Sequence, residues 1–318
     1  MDSQGLSAET AAKSGVPPQA ELKAPPAFLV RWGTFIFFVG LLCTTSAPIF
    51  MRLSEIGPIA TGAWRMTLAV PFLIVLLRFE RSDRTTALDR RDFWLLCVSG
   101  LFFAGDLALW NSSVILTSVA SASFLANSAP VFVVLGSWLL FKEKIKPMFM
   151  FGLAVSILGS GVMMSESLDM SARNLTGDFL SVAAAAFYAC YILTVSRSRK
   201  RTSTMMLMTV SSAACAAALW IMAVVLEPAL WPETARGWWV VIGTALLTQV
   251  AGQTLIALSL GYVSANFSAV ILLVQPVIPT LAAWLMFGER LSGLQAVGAL
   301  GIVVGLALAR PGNSQARS

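Results

Sequence analysis

Ten apolar stretches, each about 17 to 25 residues long, constrain most strongly what this chain can fold into. A helix of that length crosses the hydrocarbon core of a bilayer, because each residue adds about 1.5 Å of rise. We therefore predict an all-α integral membrane protein with ten transmembrane helices. The stretches run approximately over residues 33–51, 57–77, 93–114, 121–141, 148–164, 179–196, 205–226, 238–257, 265–287 and 293–309.

The composition also requires a solvent other than water. Of 318 residues, 57% are hydrophobic and only 12% are charged, about half the charged share of an ordinary soluble domain. Water would face mostly apolar side chains on such a protein, whereas lipid accepts them on nearly every outward face. The net charge of +6 does not indicate nucleic-acid binding, because the basic residues lie in short loops between the apolar stretches.

The basic residues divide unequally between the two sides of the predicted membrane. With the N-terminus in the cytosol, 17 Lys and Arg residues lie on the cytosolic side and four on the other. The positive-inside rule then predicts that both termini are cytosolic. Polar composition predicts a disordered cytosolic tail at residues 1–31. Residues 311–318 are predicted to form a second cytosolic tail. No stretch resembles an organellar transit peptide, so a bacterial cell inner membrane is the expected location.

The chain matches itself when it is laid over its own sequence with an offset of 146 residues. Six identities mark this overlay: Pro130 with Pro276, Trp138 with Trp284, Phe141 with Phe287, Glu143 with Glu289, Gly152 with Gly298, and Gly159 with Gly305. Each half holds five predicted spans, an odd number, so the second half must enter the membrane in the opposite orientation. We predict a first five-helix repeat over residues 32–164 and an inverted second repeat over 177–310. Such repeats suit alternating access; a duplication kept only for packing is the alternative.

Two segments resemble a known transporter family. The stretch Ser121 to Val162, with ASFLANSAPVFVVLGSWLLFKEKIKPMFMFGLAVSILGSGV at its core, resembles the EamA-type repeat of the drug/metabolite transporter superfamily, and so does VILLVQPVIPTLAAWLMFGERLSGLQAVGALGIVVGLAL from Val270 to Leu308. Both contain a proline in mid-helix, an acidic residue followed by a basic one at the helix end, and a glycine-rich next helix. The resemblance implies a ten-helix carrier of small metabolites, often an exporter of amino acids or related compounds. Gly301 and Gly305 are predicted to allow close helix contact.

Arg65 and Asp106 are ionisable residues deep inside predicted spans. A charge at that depth costs several kcal/mol unless it is paired or hydrated. Both lie about 20 Å from the cytosolic ends of their helices, so their side chains can meet. One interpretation is a buried ion pair that joins two helices. In the other, both line a central cavity, where Asp106 takes up a proton or a substrate amine and Arg65 holds a carboxylate.

Uncharged polar residues within the spans are further candidates for substrate binding. They are Trp110, Asn111 and Asn127 in the first half and Gln249, Gln253 and Gln275 in the second. Gln249 and Gln253 are four residues apart and share one face of an α-helix. Each of the six can equally hold neighbouring helices together by hydrogen bonds. Pro130, Pro276 and Pro279 are predicted hinges, because proline removes a backbone hydrogen bond; ordinary kinks are the alternative.

The chain lacks the groups that most enzymes and metal sites use. It has no histidine, and Cys43, Cys97, Cys190 and Cys215 lie singly in apolar stretches without C-x-x-C spacing. No G-x-x-x-x-G-K-[ST] motif for ATP occurs. A membrane enzyme acting on lipids would need His, Asp or Ser side chains converging near one interface, and the sequence shows no such cluster. We therefore expect no metal, no cofactor and no enzymatic activity.

The predicted function is secondary transport of small metabolites across the plasma membrane by alternating access. Amino acids or related polar and amphipathic compounds are the expected substrates, and export is the expected direction. The expected partners are the solute, the bilayer, and a proton or counter-substrate that drives transport. A passive channel or facilitator and an importer of a vitamin- or nucleoside-like metabolite are the alternatives. Saturable counterflow separates a carrier from a channel, because only a carrier shows exchange acceleration.

Overall fold

The fold is known from a computed structural model that describes residues 27–80, 89–117, 119–142, 145–165, 175–199, 201–278 and 292–309. Of residues 27–31, 119 and 120, only the main chain is described. These parts of the chain are helical and contain no strand. In chain order, the helices are α1 Ala27–Thr44, α2 Ala47–Leu53, α3 Pro58–Phe79, α4 Arg90–Leu116, α5 Val119–Ala126, α6 Ala129–Phe141, α7 Pro147–Met164, α8 Leu175–Ser198, α9 Thr204–Leu226, α10 Ala235–Gly243, a π-helix Thr244–Gln253, α11 Thr254–Ser259, α12 Ala265–Leu272 and α13 Gly293–Leu308.

Eight helical segments of the described residues are long and apolar enough to cross a membrane. Five are the single helices α3, α4, α7, α8 and α9. The other three combine shorter helices: α1 with α2, α5 with α6, and α10 with the π-helix and α11. A multi-pass membrane protein is therefore confirmed. Helix α13 is apolar but shorter, and only the start of the predicted span at 265–287 falls within the described residues, so the count of ten stays a prediction.

Helix α1 begins at Ala27, inside the stretch that was predicted to be a tail. The apolar residues of the first span start close to it, and the helix extends a short way into the polar sequence that precedes them. The predicted tail at residues 1–26 and the last residues, 310–318, lie outside the described part of the chain. The predicted hinge Pro279 and the repeat residues Glu143 and Glu289 also lie outside it.

The largest helix contacts join the two halves of the chain. Helix α7 packs on α13, α4 on α8, and α3 on α9, so each pair takes one helix from residues 32–164 and one from 177–310. The core between the halves contains Phe37 and Phe103 from the first half and Tyr191 and Ile256 from the second, all nearly inaccessible to solvent. Interlocked halves of this kind cannot fold as two independent domains.

Helices α7 and α13 approach each other through glycines. A Cβ atom on Gly152 would lie 2.6 Å from the carbonyl oxygen of Gly305, and one on Gly159 would lie 2.8 Å from that of Gly298. The order of the contacts shows that the two helices are antiparallel. Only a residue without a Cβ permits this approach, which gives helices in lipid the close packing that holds them together. The predicted packing role of Gly301 and Gly305 agrees with these contacts, since Gly301 also faces Gly159.

Candidate functional site

A cavity of about 450 Å³ lies where interrupted helices from both halves meet, and we call it the central cavity. Its wall includes residues of both charges, three aromatic side chains and several amides. The lining residues are Thr44, Thr45, Ala47, Pro48, Ile49, Arg65, Phe103, Asp106, Leu107, Trp110, Ser123, Ala126, Asn127, Ala129, Pro130, Met163, Met164, Ala185, Tyr188, Gln253, Leu272, Gln275, Pro276 and Gln295. A cavity of this size holds a small metabolite.

Three helix interruptions open onto the central cavity. The first lies between α1 and α2, the second between α5 and α6, and the third follows α12; each has a proline beside it, Pro48, Pro130 and Pro276. Proline lacks the N–H that would bond the carbonyl four residues earlier. Those carbonyls belong to Thr44, Ala126 and Leu272, and all three residues line the cavity. The Leu272 carbonyl accepts instead from the N–H of Gln275 at 2.9 Å. Irregular backbone at membrane depth is tolerated where it borders a polar cavity, which explains why the interruptions lie at this position.

Arg65 of α3 lies on the cavity wall with only 6% of its surface exposed. Its Nη2 donates a hydrogen bond to Oε1 of Gln249 at 3.1 Å, and its guanidinium carbon lies 5.7 Å from the centre of the Phe103 ring. Both contacts hold the cation without neutralising it. The Nε atom is buried, and no described residue accepts a hydrogen bond from it. The guanidinium therefore keeps both its charge and an unused donor.

Asp106 of α4 is half-buried and also lines the central cavity. Within the described parts of the chain, no hydrogen bond or ion pair reaches its carboxylate. Arg65 and Asp106 are close enough to interact electrostatically, but they are not joined as a contact ion pair. Both charged side chains therefore border one cavity.

The π-helix between α10 and α11 contains Gln249 and Gln253, which the sequence predicts on one face of an α-helix. Gln253, 4% exposed, lines the cavity beside the Tyr188 hydroxyl, and its Oε1 has no hydrogen-bond partner among the described residues. Gln249 is fully buried and does not line the cavity; it contacts Arg65 instead. A π-helix has i→i+5 hydrogen bonds and wider turns, so a spacing of four residues no longer puts two side chains in equivalent positions.

The other predicted residues separate into wall and packing positions. Trp110, Asn127 and Gln275 line the cavity, as do the predicted hinges Pro130 and Pro276. Asn127 also donates from Nδ2 to the Ser160 hydroxyl at 3.2 Å. Asn111 does not line the cavity. It is 3% exposed, and its Nδ2 donates to the carbonyl of Pro58 at 2.9 Å, which joins α4 to the start of α3.

Several wall residues were not predicted from the sequence. Thr44 and Thr45 bring hydroxyl groups, and Phe103 brings an aromatic face. One sequence signal marks the first two: the tripeptide Ser-Ala-Pro occurs at residues 46–48 and again at 128–130, at two of the helix interruptions. Phe103 carries no such signal, because Phe is common in any membrane helix.

The described residues contain no group of three or more His, Cys, Asp or Glu side chains that could hold a metal ion. The four cysteines are free and scattered over four helices. Among the described residues, the wall of the central cavity offers one cationic group, one anionic group, amides and hydroxyls for hydrogen bonds, and apolar surface. That set can bind a small organic solute by charge and shape.

Comparison with known proteins adds three findings. The EamA-like transporter family matches the chain twice, over residues 31–165 and 175–310. An uncharacterized transporter of Methanothermobacter thermautotrophicus is 28% identical over 192 residues, which cover 54% of this chain and 55% of that protein, so the match spans about half of each. A solved crystal structure, 20% identical in sequence, has a TM-score of 0.73 and covers 88% of this chain and 96% of its own. At that identity the likeness concerns the fold alone.

Proposed function

The chain belongs to the EamA-like transporter family, and from this premise we propose that it carries a small zwitterionic metabolite, with amino acids as the first class to test, through the central cavity. The observation that carries the proposal is the presence of two opposite charges on one cavity wall, neither of them neutralised by a contact partner among the described residues. A solute that brings both an anionic and a cationic group satisfies both side chains at once.

The two charged side chains suit the two ends of such a solute. The planar guanidinium of Arg65 matches a carboxylate, and its unused Nε gives it a donor to offer. The Asp106 carboxylate accepts hydrogen bonds from an ammonium group. The unpartnered Oε1 of Gln253 is a second acceptor on the same wall. Phe103, Leu107 and Met163 supply apolar surface for the rest of the molecule.

Alternating access is the mechanism that we propose. Gly152 contacts Gly305 and Gly159 contacts Gly298, whereas the 146-residue overlay equates Gly152 with Gly298 and Gly159 with Gly305. Exchanging the two repeats therefore turns one contact into the other, and this symmetry supports an inverted repeat. The helix interruptions around the cavity support local bending, since an interrupted helix has fewer backbone hydrogen bonds to break. Export across the cell inner membrane, with both termini in the cytosol, follows from the family resemblance and from the distribution of basic residues.

A proton or a second solute would drive the transport. Asp106 is the acidic side chain among the described residues of the cavity wall, so a proton would bind there. If a transmembrane pH gradient alone makes proteoliposomes accumulate the substrate against its concentration, the coupling ion is a proton. If accumulation needs substrate on the opposite side, the protein is an exchanger.

The proposal is tested by counterflow into proteoliposomes preloaded with amino acids. Each amino acid is compared with its carboxamide, which lacks the carboxylate, and with its deaminated acid, which lacks the ammonium group. We expect saturable exchange of the zwitterion, and we expect Arg65→Ala to raise its KM about tenfold or more, because a charged hydrogen bond is lost. Asp106→Asn is expected to raise the KM for the zwitterion and for the carboxamide, and to leave the KM for the deaminated acid unchanged.

Two matched controls lie on the same helices. Arg78→Ala removes an exposed arginine from the last turn of α3, and Asp92→Asn removes an aspartate from the first turn of α4. Both should transport like the wild type. If Arg65→Ala and Asp106→Asn also transport like the wild type, the charged pair has no part in binding. Flux that does not saturate and shows no exchange acceleration would indicate a channel.

A further inference from the structure

Gln249 supports the Arg65 guanidinium from a position that does not line the central cavity. Its Oε1 accepts the hydrogen bond from Arg65 Nη2, and its Nε2 donates to the hydroxyl of Ser212 on α9 at 3.1 Å. Both Gln249 and Ser212 are buried. The two bonds fix the amide orientation, because the guanidinium only donates and the carbonyl end of the amide must face it.

We propose that Gln249 is a positioning residue for substrate binding, an inference that rests on the function proposed above. A carboxylate in its place would form a buried ion pair with Arg65 and so compete with a carboxylate of the solute. A neutral amide holds the guanidinium in place and leaves its charge available. The choice of glutamine at residue 249 therefore determines how strongly the cavity prefers an anionic group.

The test compares L-methionine with L-methioninamide, which lacks the carboxylate. We expect Gln249→Glu to raise the KM for L-methionine about tenfold while the KM for L-methioninamide changes about twofold or less, since only the first competes with the new carboxylate. Gln249→Met removes the acceptor without adding a charge. Its KM for L-methionine should lie between that of Gln249→Glu and that of the wild type. The unfolding temperature of each variant reports whether it folds.

Three results contradict a part of this account, and they differ from one another. Equal changes for both compounds in Gln249→Glu would make Gln249 a packing residue and overturn the inference. No change for either compound would overturn it too. If the wild type binds and exchanges neither compound, the proposed substrate class fails, and the positioning role fails with it.

A separate observation concerns two glutamates that join α3 and α9 at both ends. Glu80 directly follows α3, and its carboxylate accepts hydrogen bonds from the backbone N–H groups of Thr204 at 3.0 Å and Met205 at 3.1 Å, at the start of α9. Glu227 directly follows α9, and its carboxylate accepts from Ile59 and Ala60 at the start of α3, both at 2.7 Å. The two helices are therefore antiparallel. The glutamate that follows each helix caps the N-terminus of the other.

These caps satisfy groups that lipid cannot satisfy. The first N–H groups of a helix have no partner within it, and their partial positive charge favours a carboxylate. If either end separated, two N–H donors and one carboxylate would lose their partners together. Further bonds hold the Glu227 end, where the Gly57 N–H donates to the carbonyl of Ala229 and the Trp64 indole donates to that of Leu230.

We infer that α3 and α9 stay joined at both ends throughout the transport cycle and form a fixed axis about which other helices move. In an alternating-access cycle, contacts that act as gates on opposite sides are made in turn. Here both caps are made in the same structure. A tryptophan cluster reinforces one end, with the Trp64 ring 4.9 to 5.3 Å from the rings of Trp220, Trp231 and Trp238.

The test links the two helices covalently in a variant without native cysteines. The cysteine pair Pro58→Cys with Pro228→Cys flanks the Glu227 cap, and Phe79→Cys with Met205→Cys flanks the Glu80 cap. A short bismaleimide joins each pair. We expect linked protein to keep its counterflow with about a twofold loss at most, because a fixed axis needs no separation. The same variants before linking, and single-cysteine variants treated with the reagent, are the controls.

Loss of transport on linking would overturn the fixed axis. If either link alone stops the cycle, that end must open. A second measurement does not depend on the cysteine variants. Glu80→Gln and Glu227→Gln should each lower the unfolding temperature by several degrees. The KM measured on each side of the membrane should stay at its wild-type value. A KM that changes on one side only would show that the cap controls access, and would equally overturn the proposal.

Discussion

Asn111 and Asn127 look alike in the sequence, because each is a single amide within an apolar helix. In the structure Asn111 bonds the Pro58 carbonyl away from the cavity, whereas Asn127 lies at a helix interruption on the wall. We expect Asn111→Ala to lower the free energy of unfolding by about 0.5–1.5 kcal/mol, since it removes the hydrogen bond that joins α4 to the start of α3. Its KM should equal that of the wild type.

Asn127→Ala serves as the comparison for Asn111→Ala. Its side chain borders the solute, so the KM should rise while stability changes less. Thermal unfolding in detergent and counterflow kinetics, measured on both variants, check the pair of expectations. If Asn111→Ala changes the KM as much as Asn127→Ala does, our separation of the two residues is incorrect.

The residue scale also shows which residues sequence reasoning can single out and which arrangements it misses. Arg65 and Asp106 could be singled out because a charge inside a membrane is costly and therefore has a reason to be there. Gln249 and Gln253 were put on one α-helical face, but the segment is a π-helix. Neither composition nor periodicity indicates a π-helix, because it depends on how the surrounding helices pack. Only one of the two glutamines lines the cavity as a result.

Among the helices, interruption matters as much as length. The apolar stretch at 121–141 predicts one continuous helix, because bilayer thickness sets only the total length of a span. The structure has two helices there, α5 and α6, with a turn at Asn127 and Ser128 between them. Proline was the one visible sign of the turn. Its exact place also depends on the cavity that the turn borders, since Ala126 and Asn127 both line it.

Pro130→Ala tests whether the interruption between α5 and α6 works as a hinge. Alanine restores the missing N–H and favours a more continuous helix. We expect the turnover rate to fall on the order of tenfold, because bending becomes more difficult, while the KM changes little. Pro147→Ala, at the exposed start of α7, is the matched control and should leave both constants unchanged. Equal effects of the two substitutions would contradict the prediction that Pro130 is a hinge.

Glycine contacts between α7 and α13 make a second prediction for the helices. A Cβ at residue 159 would lie 2.7 Å from the backbone nitrogen of Ile302, and backbone cannot move aside as a side chain can. We expect Gly159→Leu to separate the helices and to lower the unfolding temperature strongly, or to prevent folding. Gly293 has no atom within 4 Å of such a Cβ, so Gly293→Ala should fold normally. Monodispersity in detergent and thermal unfolding measure the difference.

For the whole molecule, the distribution of basic residues predicts the orientation. The 17 to 4 division of Lys and Arg predicts that the C-terminus is cytosolic. A fluorescent protein that folds only in the cytosol should therefore fluoresce when fused after residue 318. A phosphatase that is active only outside should be inactive at the same place. The opposite pattern would reverse the orientation and, with it, the expected direction of transport.

The interruptions beside Pro48, Pro130 and Pro276 have a consequence for how such a carrier can change over evolution. The interrupted segments bring Thr44, Asn127 and Gln275 to the wall, so part of the polarity of the cavity comes from residues other than Arg65 and Asp106. Mutations at Arg65 or Asp106 can therefore alter which solute is recognised while other polar groups remain on the cavity wall. A chain of this design can acquire a new cargo by a few substitutions, because its capacity to admit a polar solute does not depend on the residues that select one.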